Sequence, residues 1–297
     1  MIILVLDMGG TNLKYALMNE KFDFLEKKAI CSPIDSRKNF FETILNLYNQ
    51  YKQQISGVAI SLAGRVNTEI GYVHHGGSYQ FIKEEFLQKE FEELFHCPVT
   101  IANDAECALL GEHRFGNLEG VQNAISIIIG TAIGGSILIN GKIYKGSHCN
   151  SGEFSSIVID PKNKDWSRYW FAHNSYQALT NKYAKLKNID SSSVTGKIFF
   201  ENIDEDSEKI KILNIFCKDM ANAIYNLQCA FDVEKIIIGG GVSQQPILIN
   251  TINEEVKKIF KKMEMFHVVC PEISPCKYAN DSNLLGALLV HIDKYYR

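Results

Sequence analysis

A chain of 297 residues with 46% hydrophobic content carries ample apolar material for a buried core, and its length suits two domains of ordinary size. Charged residues make up 22% and the net charge is -3, so no basic surface is on offer to a nucleic acid or an anionic membrane. The expected partner is a small molecule.

Residues 2–6 form a short apolar run without a basic lead, which reads as a strand and not as a signal peptide. No apolar stretch approaches the length of a membrane span. The eight cysteines are scattered, and none forms a Cys-x-x-Cys pair. They read as reduced, mostly buried thiols, so the expected location is cytoplasmic.

The first strand ends in Asp7-Met8-Gly9-Gly10, and residues 12–18 resume an apolar pattern, so the two strands predict a hairpin around the glycines. Phe41, Ile44, Leu45 and Tyr48 have helical spacing within 40–51. Residues 58–62 read as a buried strand, and 86–95 as an amphipathic helix stopped by His96-Cys97-Pro98. Residues 99–102 read as a strand delivering Asn103-Asp104, with a helix over 105–115.

A second cycle follows. Residues 125–129 read as a strand, 130–135 as a Gly-rich turn and 136–139 as a strand, closed by the hairpin dipeptide Asn140-Gly141. Helices are expected over 175–186, 208–231, 246–263 and 282–295, with a strand at 236–238 running into Gly239-Gly240-Gly241. The polar stretch 188–195 reads as a surface loop. Strands and helices alternate, so the class is α/β. Strand, Gly-rich turn, strand occurs once in each half, which predicts a structural pseudo-repeat.

The chemistry gathers at the strand ends. In Asp7-Met8-Gly9-Gly10-Thr11-Asn12, two glycines let the backbone approach a phosphate, and Thr11 and Asn12 add donors. Asp7 cannot bind a phosphate directly, but it can hold Mg²⁺ through water. Gly130-Thr131-Ala132-Ile133-Gly134-Gly135 repeats the arrangement, and two such loops could clamp a triphosphate. Neither fits the P-loop pattern, and Thr195-Gly196-Lys197 fails it too, reading instead as loop and helix start. Asp104 is either a helix cap or a general base facing a hydroxyl substrate. Asn103 could fix a neighbouring hydroxyl. Glu153, in Ser151-Gly152-Glu153, could accept hydrogen bonds from vicinal sugar hydroxyls or lie exposed without a role. The run Gly239-Gly240-Gly241 ends a strand and suits an anion or a ribose.

Taken in order, these segments resemble the ROK family of sugar kinases and repressors. Asp7 to Asn12 is similar to its first phosphate loop, Ser61-Leu62-Ala63-Gly64-Arg65-Val66 to its small-residue sugar loop, and Asn103 to Ala108 to its sugar-binding and catalytic segment. Gly130 to Gly135 resembles the second phosphate loop, Ser151 to Phe154 the Ala-Gly-Glu-Ile segment, Gly239 to Val242 the adenosine loop, and Leu285-Gly286-Ala287 the start of the C-terminal helix. The resemblance implies a two-lobed actin-like ATPase fold (ribonuclease H-like) with a nucleotide and sugar cleft. The N-terminal lobe would span 1–116 and regain the helix 283–297, and the larger lobe would span 117–282. It further implies ATP with Mg²⁺, Asp104 as base, Gly64, Asn103 and Glu153 on the sugar, and a homodimer.

Two departures stand out. The family's zinc-binding histidine and cysteine run are replaced, the histidine by Ser156 and the run by the segment 165–173, which has no cysteine. No structural zinc is therefore expected. The lost polar groups leave room at the sugar's C1, where Trp166, Tyr169, Trp170 and Phe171 could stack on a second sugar or could simply pack a core. The expected substrate is a β-glucoside such as cellobiose, phosphorylated at O6 of the non-reducing glucose, with N-acetylmannosamine kinase and glucokinase as alternatives. A sugar-sensing regulator is the non-enzyme alternative. The family's repressors carry a helix-turn-helix ahead of the first loop, for which a loop at residue 7 leaves no room.

Overall fold

The computed structural model describes residues 1–278 and 281–296. It divides into two compact units. One comprises Met1–Phe115, Lys145–Asn150 and Asp281–Arg297, the other Gly116–Tyr144 and Ser151–Asn280. A plain split at residue 116 thus misses the return of 145–150 to the first unit.

The first unit opens with β1 (Ile2–Met8), β2 (Asn12–Asn19), β3 (Phe24–Cys31) and α1 (Arg37–Tyr51). It continues through β4 (Gly57–Leu62), β5 (Arg65–Asn67), β6 (Tyr72–Gly76), β7 (Tyr79–Glu85), α2 (Leu87–Phe95), β8 (Val99–Asn103) and α3 (Asp104–Phe115). Its main sheet has the order β3-β2-β1-β4-β8, and β5, β6 and β7 form a smaller sheet. Strands β1 and β4 are apolar apart from Asp7 and Ser61 and pair in parallel, as buried central strands do. In α1, Phe40, Ile44, Leu47 and Tyr51 recur every three or four residues and bury one face, while Ser36 caps its start. His96, in the left-handed region at φ 53°, ends α2 ahead of Pro98.

The second unit contains β9 (Ala124–Ile129), β10 (Ile133–Ile139), β11 (Lys142–Ile143), α4 (Phe171–Asn174), α5 (Tyr176–Lys187) and α6 (Gly196–Phe200). Then come α7 (Ser207–Phe231), β12 (Lys235–Gly239), α8 (Pro246–Lys262) and β13 (Glu272–Pro275). Its sheet order is β11-β10-β9-β12-β13, the same plan as the first: a hairpin strand pair, then two parallel neighbours. Asn140 and Gly141 turn the β10–β11 hairpin with φ of 51° and 72°, the double positive that a type I′ turn needs. Strand β10 starts at Ile133, so Gly134 and Gly135 lie in the strand and not in the turn where their sequence placed them. Gly134 has ordinary space for a side chain, but Gly135 does not: its added Cβ would meet the Phe154 ring at Cε2 and the Ser126 carbonyl, each at 2.3 Å.

The chain closes with α9 (Ser282–Tyr295), which belongs to the first unit and packs on α3, β4, β1 and β8. A Cβ at Gly286 would stand 1.9 Å from the Cys107 carbonyl, so only glycine permits this approach. Of the eight cysteines only Cys107, Cys217 and Cys276 are buried, fewer than the sequence suggested. No helix among the described residues is long and apolar enough to cross a membrane.

Candidate functional site

The pairing of β1 sets the surroundings of Asp7. Its register places Asp7 opposite Lys14 on β2 and Ser61 on β4. The carboxylate is buried at 4% exposure. Oδ1 accepts hydrogen bonds from Ser61 Oγ and from Asn283 Nδ2 on α9, both at 3.0 Å, and Oδ2 accepts one from Lys14 Nζ at 3.3 Å. A carboxylate offers about four acceptor positions. Three are used by these donors, which leaves one for a further donor. Lys14 was not singled out in the sequence, yet it brings a half-buried cation to this carboxylate.

The first glycine turn is held from behind. The Gly9 carbonyl accepts from Ser32 Oγ at 2.6 Å and from Tyr79 OH at 3.1 Å. A Cβ on Gly10 would lie 2.4 Å from Ser78 Oγ. Thr11 and Asn12 are exposed at the tip.

At the end of β8 the cap is Asn103, not Asp104. Asn103 Oδ1 accepts the Glu106 amide at 3.0 Å, the geometry of an N-cap, and Asp104 becomes the first residue of α3. A carboxylate in that first turn also faces the positive end of the helix dipole. Asp104 Oδ1 accepts from the Ala105 amide at 2.9 Å and from Asn103 Nδ2 at 3.1 Å. Asn103 Nδ2 also donates to the Gly64 carbonyl at 2.7 Å. Gly64 has φ 128° and its added Cβ would come within 2.1 Å of the His75 carbonyl, so the turn admits no side chain. Gly64, Asn103 and Asp104 are therefore brought together in the first unit by direct bonds. Glu106 follows on the same turn, largely buried and paired with Lys145, and burial raises its carboxyl above the usual range against the lowering pull of that lysine.

The second unit holds a cavity of about 720 Å³, within the size range of small-molecule sites. Gly130 and Thr131 from the β9–β10 turn line it, with Gly241 and Val242 after β12, Tyr176 at the start of α5, Gly196, Lys197 and Phe200 on α6, and Glu201 and Gln245. Tyr176 fastens these segments. Its amide donates to the Gly130 carbonyl at 2.8 Å, and its hydroxyl accepts the Gly196 amide at 2.9 Å. Gly240 turns the chain out of β12 with φ 94°, its added Cβ 2.0 Å from the Ile129 carbonyl, while Gly241 has nothing within 4 Å and opens into the cavity. Gly239 is buried in β12, and Gly134, Gly135, Gly239 and Gly240 are absent from the lining. Tyr176, Phe200, Glu201 and Gln245 carry no local sequence signal, and Gly196-Lys197 line the cavity although they fit no P-loop pattern. Only the strand-following glycines gave a signal.

Glu153 lies in the second unit, exposed, just after Gly152, whose φ of 89° sets the chain against the Gly135 carbonyl. Ser155 locks this segment to β10, its Oγ donating to the Ile133 carbonyl and accepting the Ile133 amide, both at 2.9 Å. The four aromatics divide. Trp170 is fully buried, donates from Nε1 to Asn174 Oδ1 at 2.9 Å and packs 5.8 Å from the Phe154 ring, so it belongs to the core and not to a sugar platform. Trp166, Tyr169 and Phe171 cluster with one another, and Trp166 is 75% exposed. Among the described residues no group of three or more His, Cys, Asp or Glu is placed to hold a metal ion.

The model of the ROK family matches residues 3–294. The chain is 29% identical to a β-glucoside kinase of Listeria monocytogenes over 292 residues, 97% of this chain and 96% of that one. Among solved structures, a Listeria monocytogenes protein provisionally assigned as an N-acetylmannosamine kinase superposes with a TM-score of 0.90 at 26% identity, covering 99% of each chain. A ROK family protein of Streptococcus pneumoniae in complex with sucrose follows with a TM-score of 0.86 at 26% identity, again covering 99% of each. The chain belongs to the ROK family, with the α/β actin-like ATPase fold. It is a sugar kinase in class.

Proposed function

We propose that the chain transfers the γ-phosphoryl group of ATP to O6 of the non-reducing glucose of a β-glucoside such as cellobiose. The observation that carries this reading is the placing of Asp104. Asn103 takes over the capping of α3 and ties to Gly64, so the carboxylate of Asp104 stands at the helix start beside two segments suited to a sugar. The relative's name supplies the substrate class, because the β-glucoside kinase matches along nearly the whole of both chains.

In this mechanism the sugar lies against Gly64 and Asn103, with Glu153 accepting hydrogen bonds from vicinal hydroxyls. Asp104 takes the O6 proton as O6 bonds to the γ-phosphorus and the bond to the β-phosphate oxygen breaks, releasing ADP. The adenosine occupies the cavity beside Tyr176 and Gly241, and its phosphates run to Gly130 and Thr131. Thr11, Asn12 and the amides of Gly9 and Gly10 supply donors to the phosphates. Asp7 would hold the Mg²⁺ of the nucleotide through water, and that ion would offset phosphate charge. Gly134, Gly135, Gly239 and Gly240 act through the backbone, letting the strands and turns approach closely without contacting ATP themselves. A cytoplasmic homodimer without zinc completes the proposal.

Initial rates with ATP and cellobiose, glucose or N-acetylmannosamine test it. Cellobiose is expected to give the highest kcat/KM, and equal or better turnover of free glucose would sink the glucoside assignment. A second reading, N-acetylmannosamine phosphorylation, is favoured by the structural likeness to the Listeria protein assigned that activity. Preference for that sugar in the same assay would select it.

A further inference from the structure

Lys145 is the first residue of the short segment that counts with the first unit although both its flanks count with the second. Its ammonium pairs with Glu106 Oε2 and donates to Thr68 Oγ1 at 3.0 Å. Glu106 sits on the first turn of α3, two residues after Asp104. Thr68 directly follows β5, the strand that leaves Gly64. Lys145 therefore bridges the helix start that carries Asp104 and the end of the strand that leaves the Gly64 turn. Among the described residues no comparable side-chain bond secures the rest of the segment. Gly146, Ser147, His148 and Asn150 are exposed, and the backbone turns at Gly146 and Cys149 with φ of 68° and 51°. The side chains of Lys145 and Glu106 are only 25% and 13% exposed. Charge-assisted bonds in such a setting are among the stronger side-chain contacts, and removing one partner strands the other in a poorly hydrated place.

We infer that Lys145 is a positioning residue for the acceptor sugar: by tying Glu106 to Thr68 it sets the spacing of the Gly64 turn and the start of α3 within the first unit. It touches neither the nucleotide cavity nor the reacting atoms, so its loss is felt in sugar affinity and not in ATP affinity. The inference rests on the sugar-kinase reading of this site.

The test is steady-state kinetics of Lys145→Met, Lys145→Arg and Glu106→Gln, with sugar and ATP varied separately, and calorimetric sugar binding alongside. Lys145→Met is expected to raise the sugar KM and Kd about tenfold, with the ATP KM and kcat changed by less than about twofold. Lys145→Arg restores most of the affinity. The double variant Glu106→Gln with Lys145→Met is no worse than Lys145→Met alone, since both remove one interaction. A Lys145→Met enzyme with unchanged sugar KM, or one whose ATP KM and kcat worsen in step with the sugar KM, overturns the inference. Should Lys145→Met fail to fold, Thr68→Val is the milder variant, expected to raise the sugar KM about threefold, and no rise there counts against the inference. A wild type that binds sugar without phosphorylating it refutes the kinase reading alone, and one that binds no sugar overturns both.

Discussion

The two sheets share one strand order, yet the turns that follow their central strands carry opposite chemistry. In the first unit the strand ends present carboxylates: Asp7 under three donors, and Asp104 beside an asparagine that caps the helix in its place. In the second the same positions present glycines and hydroxyls around a cavity, with Tyr176 as the fastening. The scaffold is common and the function is grafted on by a few residues at each strand end. A carboxylate suits a hydroxyl acceptor and a hydrated cation.

The comparison can be broken from either side. The largest loss is expected for Trp170→Ala, which empties a fully buried site beside Phe154 and leaves Asn174 without its indole donor; unfolding by denaturant is expected to show about 3–5 kcal/mol of destabilisation. If Trp170 were a sugar platform instead, sugar affinity would fall and stability would hold.

Next comes acid. Burial holds the His291 imidazole down to about 4 from 6.5, with Thr100 Oγ1 on its Nδ1 at 3.0 Å. The unfolded chain then binds a proton that the folded chain refuses, so this stability is present above pH 6.5 and is lost as pH falls toward 4. The loss is on the order of 3 kcal/mol, read as a falling melting temperature that His291→Gln should flatten.

A glycine pair sharpens the contrast within the second unit. Gly240→Ala places a Cβ against the Ile129 carbonyl at a positive φ and is expected to cost about 2 kcal/mol and to raise the ATP KM. Gly241→Ala adds a methyl in open space and is expected to fold normally. Equal melting temperatures for the two would contradict the turn geometry. The smallest effect is Ser151→Ala, which removes a buried hydroxyl that lacks a hydrogen-bond partner; stability is expected to change by less than about 0.5 kcal/mol or to rise.

The buried strands and long helices were legible because their apolar periods are strong: residues 2–8, 57–62 and 207–231 announce themselves. Strand β3 was not, because it is an edge strand with mostly exposed residues and no alternation to read. The small sheet β5-β6-β7 escaped for a related reason: β5 and β6 are short, and both pairings are interrupted by register shifts. Gly134-Gly135 looked like a turn because two glycines carry no side-chain pattern, although Gly135 is small to admit Phe154. Asn103-Asp104 could be placed at a helix start, but which of the two caps is decided by the tie from Asn103 to Gly64, a contact spanning 39 residues. The nucleotide-sized cavity draws Tyr176, Phe200, Glu201 and Gln245 from separate segments, and no local spacing joins them.

The central claim is that Asp104 takes the proton of the acceptor hydroxyl. Single-turnover phosphoryl transfer by Asp104→Asn, with sugar binding measured on the same protein, tests it most directly. A loss of about 10²–10⁴ in the transfer rate with sugar Kd nearly unchanged is the expected result. Transfer within a few fold of the wild type would contradict the account.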